Sequence, residues 1–157
     1  MVAHTKSRQE KAVARFLLAS GRQYYLPLVS RTRLIRGRKF ITSEPLFPGY
    51  LFLFGEREDG FAAISTKRVC QILDVDDQEK FEFEISQIAL VLEAGAELEL
   101  FPFAVVGSMC RVTKGPFLGV EGRIIERQSM TRLVLHVDIL GQGAALEIDA
   151  DFLEPIE

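Results

Sequence analysis

The sequence contains no tryptophan, and it has only two cysteines and two histidines among 157 residues. Cys70 and Cys110 lie far apart and match no metal-binding or redox spacing, so we expect both to be reduced, buried thiols. His4 and His136 each stand apart from any cysteine or carboxylate cluster in the sequence. The pattern therefore offers no catalytic residues and no metal ligands, and we expect neither an enzyme nor a cofactor.

Long apolar runs are also missing. The longest, "IALVL" at 88–92, falls far short of the roughly 18 residues that a membrane-spanning helix needs. The first residues, "MVAHTKSRQEK", lack the apolar centre of a secretory signal, so we expect a cytoplasmic protein that does not bind membranes. An apolar content of 48% nevertheless provides a hydrophobic core for one ordinary domain or two small ones.

The net charge of −3 conceals an uneven distribution along the chain. Residues 1–54 carry ten Lys or Arg against Glu10 and Glu44, whereas residues 55–104 carry four against twelve acids. A basic segment in a mildly acidic chain indicates a local contact with a polyanion. The alternative is an ordinary solvated surface that is rich in lysine and arginine.

Predicted helices and strands alternate in the first part of the chain. Ser7 and Glu10 have capping-box spacing before a helix at 8–20, and residues 31–42 have the pattern of a projecting hairpin. The other predicted elements, in chain order, are strands at 2–5, 24–35 and 50–54, a helix at 61–67, a strand at 69–75 and a helix at 84–95. This order predicts an α+β fold with a mostly antiparallel sheet and flanking helices.

From Gly107 onward the sequence has only strand signals, punctuated by glycines. They predict a small five-stranded β-barrel. The acidic, proline-containing segment 96–106 is interpreted as a linker or an edge segment. We therefore predict two domains, at 1–95 and 107–157, joined by the linker.

The segment "VTKGPFLGVEGRI" at 112–124 is the strongest local signal in the second domain. Gly115-Pro116 forces a turn, and Gly119 and Gly122 suit positive φ or a close backbone approach. Leu118 and Val120 then lie near an exposed tip. In the alternative, both side chains fold back onto the protein.

The segment "PLFPGYLFLF" at 45–54 joins a turn to a strand. Five consecutive apolar residues predict a buried strand at 50–54, with Phe47-Pro48-Gly49 as the turn at its entrance. Phe47 and Tyr50 flank that turn. Either they cap the core or they form an apolar patch for another molecule.

These segments together resemble a known family. "GPFLGVEG" after "RVTK" is similar to the KOW motif, "EPLFPGYLFLF" resembles the FPGY signature of the NusG amino-terminal domain, and "HTKSRQEKAVARFL" resembles that domain's first helix. The matches follow the family's order over nearly the whole chain. The resemblance implies a NusG-family transcription elongation or antitermination factor, with an SH3-like KOW barrel after the first domain.

The resemblance also implies three binding surfaces on a monomer. The first docks on the clamp helices of RNA polymerase and comprises Phe47, Pro48, Gly49 and Tyr50. The second faces upstream or non-template DNA and comprises Lys6, Arg8, Arg31, Arg33, Arg36, Arg38 and Lys39. The third recruits a small-subunit ribosomal protein or Rho to the KOW domain and comprises Phe117, Leu118, Gly119 and Val120.

One departure from the family and several alternatives stay open. The family's first strand usually begins with a tryptophan, so either the start of this chain is truncated or another residue fills that place. A KOW-type ribosomal RNA-binding protein is the main alternative, although such proteins are generally very basic. A thiol enzyme using Cys70 or Cys110 is another, but neither cysteine has a histidine partner nearby in sequence. Within the family, a housekeeping factor and an operon-specific paralogue both fit.

Overall fold

The computed structural model describes residues 1–127 and 130–156 of the chain. It forms two compact units, Met1–Asp76 and Asp77–Glu157. Residues 128, 129 and 157, which fall within the predicted barrel domain, lie outside the described residues. The fold is α+β, as predicted, and the strand pairs described in its sheets are antiparallel.

The first unit is built on a four-stranded sheet with the order β2-β5-β1-β6. Its strands are β1 (Val2–Thr5), β2 (Gln23–Tyr25), β5 (Tyr50–Phe54) and β6 (Val69–Leu73). Two helices, α1 (Glu10–Ala19) and α2 (Arg57–Ser65), pack on this sheet.

The core of the first unit lies between α1 and the central strands. Val13 and Leu17, four residues apart on α1, are completely buried and cluster with Leu51 and Leu53 of β5. Phe52 projects from the opposite face of the same strand and is also completely buried. The aromatic-rich strand predicted at 50–54 is therefore buried on both faces at its centre, as expected.

A two-stranded hairpin extends from the sequence between β2 and β5. Its strands, β3 (Leu28–Ile35) and β4 (Arg38–Pro45), form a separate sheet with eight paired positions. Arg36 and Gly37 connect them with φ of 51° and 79°. Two successive positive φ values are those of a type I′ turn, whose twist matches a hairpin. The hairpin predicted at 31–42 is confirmed and is longer at its base.

The second unit is built on a six-stranded sheet with the order β12-β8-β9-β10-β11-β7. Its strands are β7 (Leu98–Phe101), β8 (Met109–Val112), β9 (Glu121–Arg127), β10 (Met130–Val137), β11 (Gln142–Glu147) and β12 (Leu153–Pro155). Strand β7 pairs with β11 at one edge. Part of the segment predicted as a linker or edge is thus an edge strand.

Helix α3 (Gln78–Glu93) belongs to this second unit, whereas the sequence placed residues up to 95 in the first domain. It begins earlier than predicted because the Asp77 side chain accepts a hydrogen bond from the Lys80 backbone N–H. The Gln87 side chain joins α3 to β9, since it donates to the Glu121 carbonyl (2.9 Å) and accepts from the Glu121 N–H (2.7 Å).

The capping box predicted for α1 is wrong. The helix begins at Glu10, its N-cap is Gln9, and no side chain in the described part of the chain caps it. The Glu10 carboxylate instead reaches Gly49, which is 39 residues away. The donor that Glu10 binds, the Gly49 N–H, lies outside the helix, so the local spacing of Ser7 and Glu10 could not reveal it.

Candidate functional site

The turn at 47–50 closes with a hydrogen bond from the Tyr50 N–H to the Phe47 carbonyl (3.1 Å). Gly49, the third residue of this turn, has a φ of +88°. Proline at the second position and a residue with positive φ at the third are the signature of a type II turn, which explains both the proline and the glycine. The motif is therefore a rigid entrance to β5.

The structure separates the two aromatic residues that flank this turn. Phe47 is 1% exposed, and its ring packs edge-to-face on Phe52 with centroids 6.1 Å apart. Tyr50 is half-buried and stacks on His4, with ring centroids 4.9 Å apart and planes 18° apart. Of the two rings, only Tyr50 offers accessible surface in this conformation.

Two residues outside the motif hold the turn in place. The buried Glu10 carboxylate, in the first turn of α1, accepts from the Gly49 N–H (3.1 Å). The Gly49 carbonyl accepts from the Thr5 N–H of β1 (2.8 Å). Together with the His4 ring, these contacts connect β1, α1 and the turn. These contacts could not be predicted from local sequence patterns, because each joins residues more than 35 positions apart.

The hairpin separates its cations into two groups. Arg33 makes a two-pronged contact with Glu44 (2.7 and 2.8 Å), and Arg31 lies 3.2 Å from the same carboxylate. The hydrogen bond from Arg33 holds the pKa of the Glu44 carboxyl below its ordinary value. Glu44 thus orients both arginines near the base.

The remaining hairpin cations are at the tip. Arg36, Arg38 and Lys39 are exposed, and among the described residues no carboxylate lies within 4.0 Å of them. Lys6 and Arg8 are exposed in the connection before α1. Lys11 of α1 donates to the Ser43 carbonyl of β4, which places the start of α1 beside the hairpin base.

The turn at 113–119 joins β8 and β9 in the second unit. Two backbone hydrogen bonds of Val112 close this turn. The Val112 carbonyl accepts from the Gly119 N–H, and the Val112 N–H donates to the Val120 carbonyl (both 2.8 Å). Gly119 has a φ of +88°, and a Cβ on Gly122 would lie 2.6 Å from the Val134 carbonyl oxygen. The sequence predicted that these glycines serve a positive φ or a close backbone approach, and both are found, the first at Gly119 and the second at Gly122.

Leu118 and Val120 differ in exposure. Leu118 is 64% exposed, as predicted, whereas the exposure predicted for Val120 is wrong, since its side chain is 2% exposed. The Val120 carbonyl accepts a hydrogen bond from the Val112 N–H, so Val120 continues the pairing between β8 and β9. Phe117, which directly precedes Leu118 in the sequence, is half-buried.

One group of side chains in the second unit was missed entirely. His136 Nδ1 lies 2.6 Å from Asp138 Oδ1, and the buried Glu84 carboxylate accepts from the Asp138 N–H (3.2 and 3.4 Å). Their ligand atoms lie within 4.8 Å of one another, which is a geometry that a metal ion could share. Lys80, however, already forms an ion pair with Asp138.

Burial alters the acid–base properties of this group. Desolvation raises the pKa of Glu84 to about 7, with Asp77 raising it further and Lys80 opposing. Desolvation, together with the charges of Arg123 and Lys80, lowers the pKa of His136. The Glu84 carboxyl therefore titrates near neutral pH, beside the ion pair of Lys80 and Asp138.

The two cysteines differ from expectation in one respect. Cys110 is buried, and burial raises the pKa of its thiol, which disfavours the nucleophilic thiolate. Cys70 is exposed on β6, so the prediction that it is buried is wrong. It occupies the edge strand of the first sheet, where one side of the backbone faces no other strand of that sheet.

Comparisons with known proteins identify related sequences and structures. A family model described as transcription termination factor NusG matches residues 1–90, which is more than half of the chain. No curated protein matches. Within residues 1–127 and 130–156, no helix is long and apolar enough to cross a bilayer.

Two solved structures are similar over most of the chain. The first, from work on the domain interaction in Thermotoga maritima NusG, has a TM-score of 0.52 at 23% identity and covers 99% of this chain and 96% of that one. The second, an MjSpt4:Spt5 complex, has a TM-score of 0.31 at 15% identity, with 99% and 95% covered. The first indicates a common fold.

Proposed function

Since this chain belongs to the NusG family, we propose that it is a cytoplasmic transcription elongation factor that binds RNA polymerase and modulates pausing and termination as an antiterminator. The single observation that carries the proposal is the rigid turn at 47–50, with an accessible aromatic residue at its end. A KOW-type ribosomal RNA-binding protein is the weaker alternative, because the family model matches residues 1–90, outside the proposed KOW domain.

The proposed polymerase-binding surface is centred on Tyr50, which stacks on the half-buried His4. Pro48 and Gly49 fix the backbone beside it, and Phe47 supports the turn from below by packing on Phe52. An aromatic ring held by stacking loses little conformational entropy when a partner covers it. Such a ring suits a contact with the paired clamp helices of the polymerase.

The proposed DNA-binding surface comprises the exposed hairpin cations and the cations before α1. Arg36, Arg38 and Lys39 are concentrated at a tip about 26 Å from the hairpin base, at 3.3 Å for each of eight residues. Glu44 directs Arg31 and Arg33 along one face. Lys6 and Arg8 extend the basic surface toward α1. Phosphate contacts are the simplest role for exposed cations on such an arm.

For the second unit, we propose a KOW domain at 107–157, in which strands of the six-stranded sheet form an SH3-like barrel. We assign partner recruitment to the turn that contains Phe117, Leu118 and Gly119, with Val120 supporting it from inside. The exposed Leu118 is the residue of this turn that a small-subunit ribosomal protein or Rho would cover.

The first experiment is a binding measurement with core RNA polymerase. We expect Tyr50→Ala to weaken binding by about 2 kcal/mol, or roughly thirtyfold, since buried aromatics at interfaces contribute this much. Phe61→Ala is the matched control, because Phe61 is an equally large, 61% exposed ring elsewhere in the first unit. A folded Tyr50→Ala protein that binds and promotes read-through like the wild type would contradict the proposal.

A further inference from the structure

Three side chains of the second unit that belong to no proposed binding surface come together where α3 packs against β10. Glu84 lies on α3, His136 is near the end of β10, and Asp138 begins the short helical turn that follows. Each side chain offers one ligand atom, and these atoms lie within 4.8 Å of one another. One imidazole nitrogen and two carboxylate oxygens form a ligand set that Zn²⁺ accepts.

Glu84 is a buried carboxylate with little to compensate its charge. It is 7% exposed, and its two oxygens share one donor, the Asp138 N–H, at 3.2 and 3.4 Å. Among the described residues, no lysine, arginine or histidine nitrogen lies within 4.0 Å of this carboxylate. A buried carboxylate is strongly unfavourable unless it is protonated or paired with a cation. A bound metal ion would supply that cation.

The imidazole of His136 is also incompletely satisfied. Its Nδ1 lies 2.6 Å from Asp138 Oδ1, whereas its Nε2 is buried and has no hydrogen-bond partner among the described residues. Buried polar atoms nearly always have a partner, so an unused ring nitrogen beside a buried carboxylate is a second, independent indication of a ligand site. Imidazole is the commonest metal ligand among protein side chains.

One cation of the protein competes for this group. Lys80 forms an ion pair with Asp138, but the Lys80 side chain is 52% exposed. Exposed ion pairs contribute little to stability, because both side chains lose freedom and water competes for the charges. Arg123, the other cation that acts on the imidazole, donates to the Gly107 carbonyl (2.6 Å). A divalent ion therefore needs to displace only the Lys80 ammonium, at small cost.

We propose that Glu84, His136 and Asp138 form a Zn²⁺ site that joins α3 to the end of β10. A tetrahedral ion takes one ligand atom from each side chain and a water molecule in the fourth position. Because Glu84 is on the helix and the other two ligands are at the end of the strand, the bound ion stabilises the packing of α3 on β10. This structural role is independent of the polymerase and nucleic-acid contacts proposed above.

The ligand set also predicts which ions are bound. Mg²⁺ and Ca²⁺ take six or more oxygen ligands, many of them from water or carbonyl groups. Zn²⁺ accepts nitrogen and oxygen ligands together and is satisfied by four. A preference for Zn²⁺ over Mg²⁺ and Ca²⁺ therefore distinguishes a site that includes the imidazole from general attraction of cations to acidic side chains.

The test is isothermal titration calorimetry of the full chain with zinc chloride, at about pH 8, where Glu84, whose pKa is about 7, is mainly ionised. All proteins carry Cys70→Ser, because Cys70 is an exposed thiol that could bind Zn²⁺ itself. We expect this reference protein to bind one Zn²⁺ at least about tenfold more tightly than Mg²⁺ or Ca²⁺. His136→Gln and Glu84→Gln should each weaken Zn²⁺ binding by more than about tenfold.

Matched variants separate this site from other acids and histidines of the chain. His4→Gln and Glu82→Gln make the same substitutions outside the group, and Glu82 is an exposed acid on the same helix, so we expect both to bind Zn²⁺ like the reference protein. Lys80→Met removes the competing ammonium and no ligand, so we expect it to bind Zn²⁺ more tightly.

Two further measurements report on the site directly. A hundredfold excess of Zn²⁺ over its Kd should raise the melting temperature of the reference protein by about 5–10 °C and leave that of His136→Gln unchanged. The ring signals of His136 in NMR spectra should shift on addition of Zn²⁺, while those of His4 should not.

The proposal is overturned if Zn²⁺ does not bind the reference protein, or if Mg²⁺ binds as tightly. It is also overturned if His136→Gln and Glu84→Gln bind Zn²⁺ like His4→Gln and Glu82→Gln. Circular dichroism checks that each variant is folded. Should one ligand variant not fold, the other variant and the His136 ring signals of the reference protein decide the matter.

Discussion

The Gly49 backbone N–H donates to the buried Glu10 carboxylate over 3.1 Å, and this bond connects the turn before β5 to the first turn of α1. Glu10 therefore acts on the proposed polymerase-binding surface without belonging to it. We expect Glu10→Ala to lower the free energy of unfolding by about 1–3 kcal/mol, because the Gly49 N–H loses its acceptor. Chemical denaturation followed by circular dichroism measures this.

Glu10→Gln is the matched control for that substitution, since its amide oxygen can still accept from Gly49. We expect it to retain most of the stability and most of the affinity for polymerase. Equal losses in Glu10→Ala and Glu10→Gln would show that the negative charge matters and the hydrogen bond to Gly49 does not.

Truncation of Phe47 and truncation of Tyr50 should lower the stability by different amounts, although the two residues lie three positions apart in one motif. Phe47→Ala removes a ring that is 1% exposed, so we expect the unfolding free energy to fall by about 3–5 kcal/mol. Tyr50→Ala should cost much less stability because Tyr50 is only half-buried. Urea denaturation of both variants decides the matter, and similar losses would refute this division of roles.

The stability of the second unit should depend on the protonation of Glu84. Its pKa is raised from 4.5 to about 7 in the folded chain, so the folded state binds more protons than the unfolded state between these values. Stability is therefore highest below about pH 4.5 for this group and falls as the pH rises through about 7. Between pH 5 and pH 8 we expect a loss of roughly 2–3 kcal/mol that Glu84→Gln abolishes.

An NMR titration of the Glu84 carboxyl carbon measures that pKa directly. Glu82→Gln is the control, because Glu82 is an exposed acid on the same helix. An ordinary titration near pH 4.5, or the same pH dependence of unfolding in Glu84→Gln and the wild type, would contradict the prediction.

Leu118 and Val120 provide a similar contrast in the second unit. Leu118→Ala should leave stability within about 0.5 kcal/mol of the wild type, since the side chain is 64% exposed, and should weaken binding to a small-subunit ribosomal protein or Rho. Val120→Ala should destabilise the unit by about 1–2 kcal/mol, since it removes buried methyl groups. Amide shifts during titration with each partner report on binding. Unchanged affinity of Leu118→Ala for both would refute the assignment.

Elements with a strong local pattern could be predicted from the sequence. The apolar residues of α1 recur at helical spacing, and "RGRK" between two strand patterns predicts a hairpin tip; both were found near the predicted positions. The start of α3 was missed because its first turns are acidic and only Phe81 marks the buried side. A cap at Asp77 was the available signal.

Contacts between distant residues could not be predicted in the same way. Glu84 and Asp138 are 54 positions apart, and neither belongs to a recognisable motif. The difference between Leu118 and Val120 also depends on the pairing of Val120 with Val112, which the turn sequence alone does not specify. In the turn at 47–50, Phe47 is buried because it packs on Phe52, whereas Tyr50 stacks on His4 and stays half-buried. Neither neighbour can be identified from the sequence of the turn.

The hairpin has one further consequence, which concerns how this protein can change over evolution. Its strands pair with each other and with no further strand among the described residues, and its tip contributes nothing to the buried core. Residues can therefore be added, removed or exchanged in pairs at its end without disturbing the folding of the first unit. The length and composition of this arm are free to diverge while the turn at 47–50 stays constrained, so that related proteins could share one docking mode on a common enzyme and still differ in the nucleic acid that they reach.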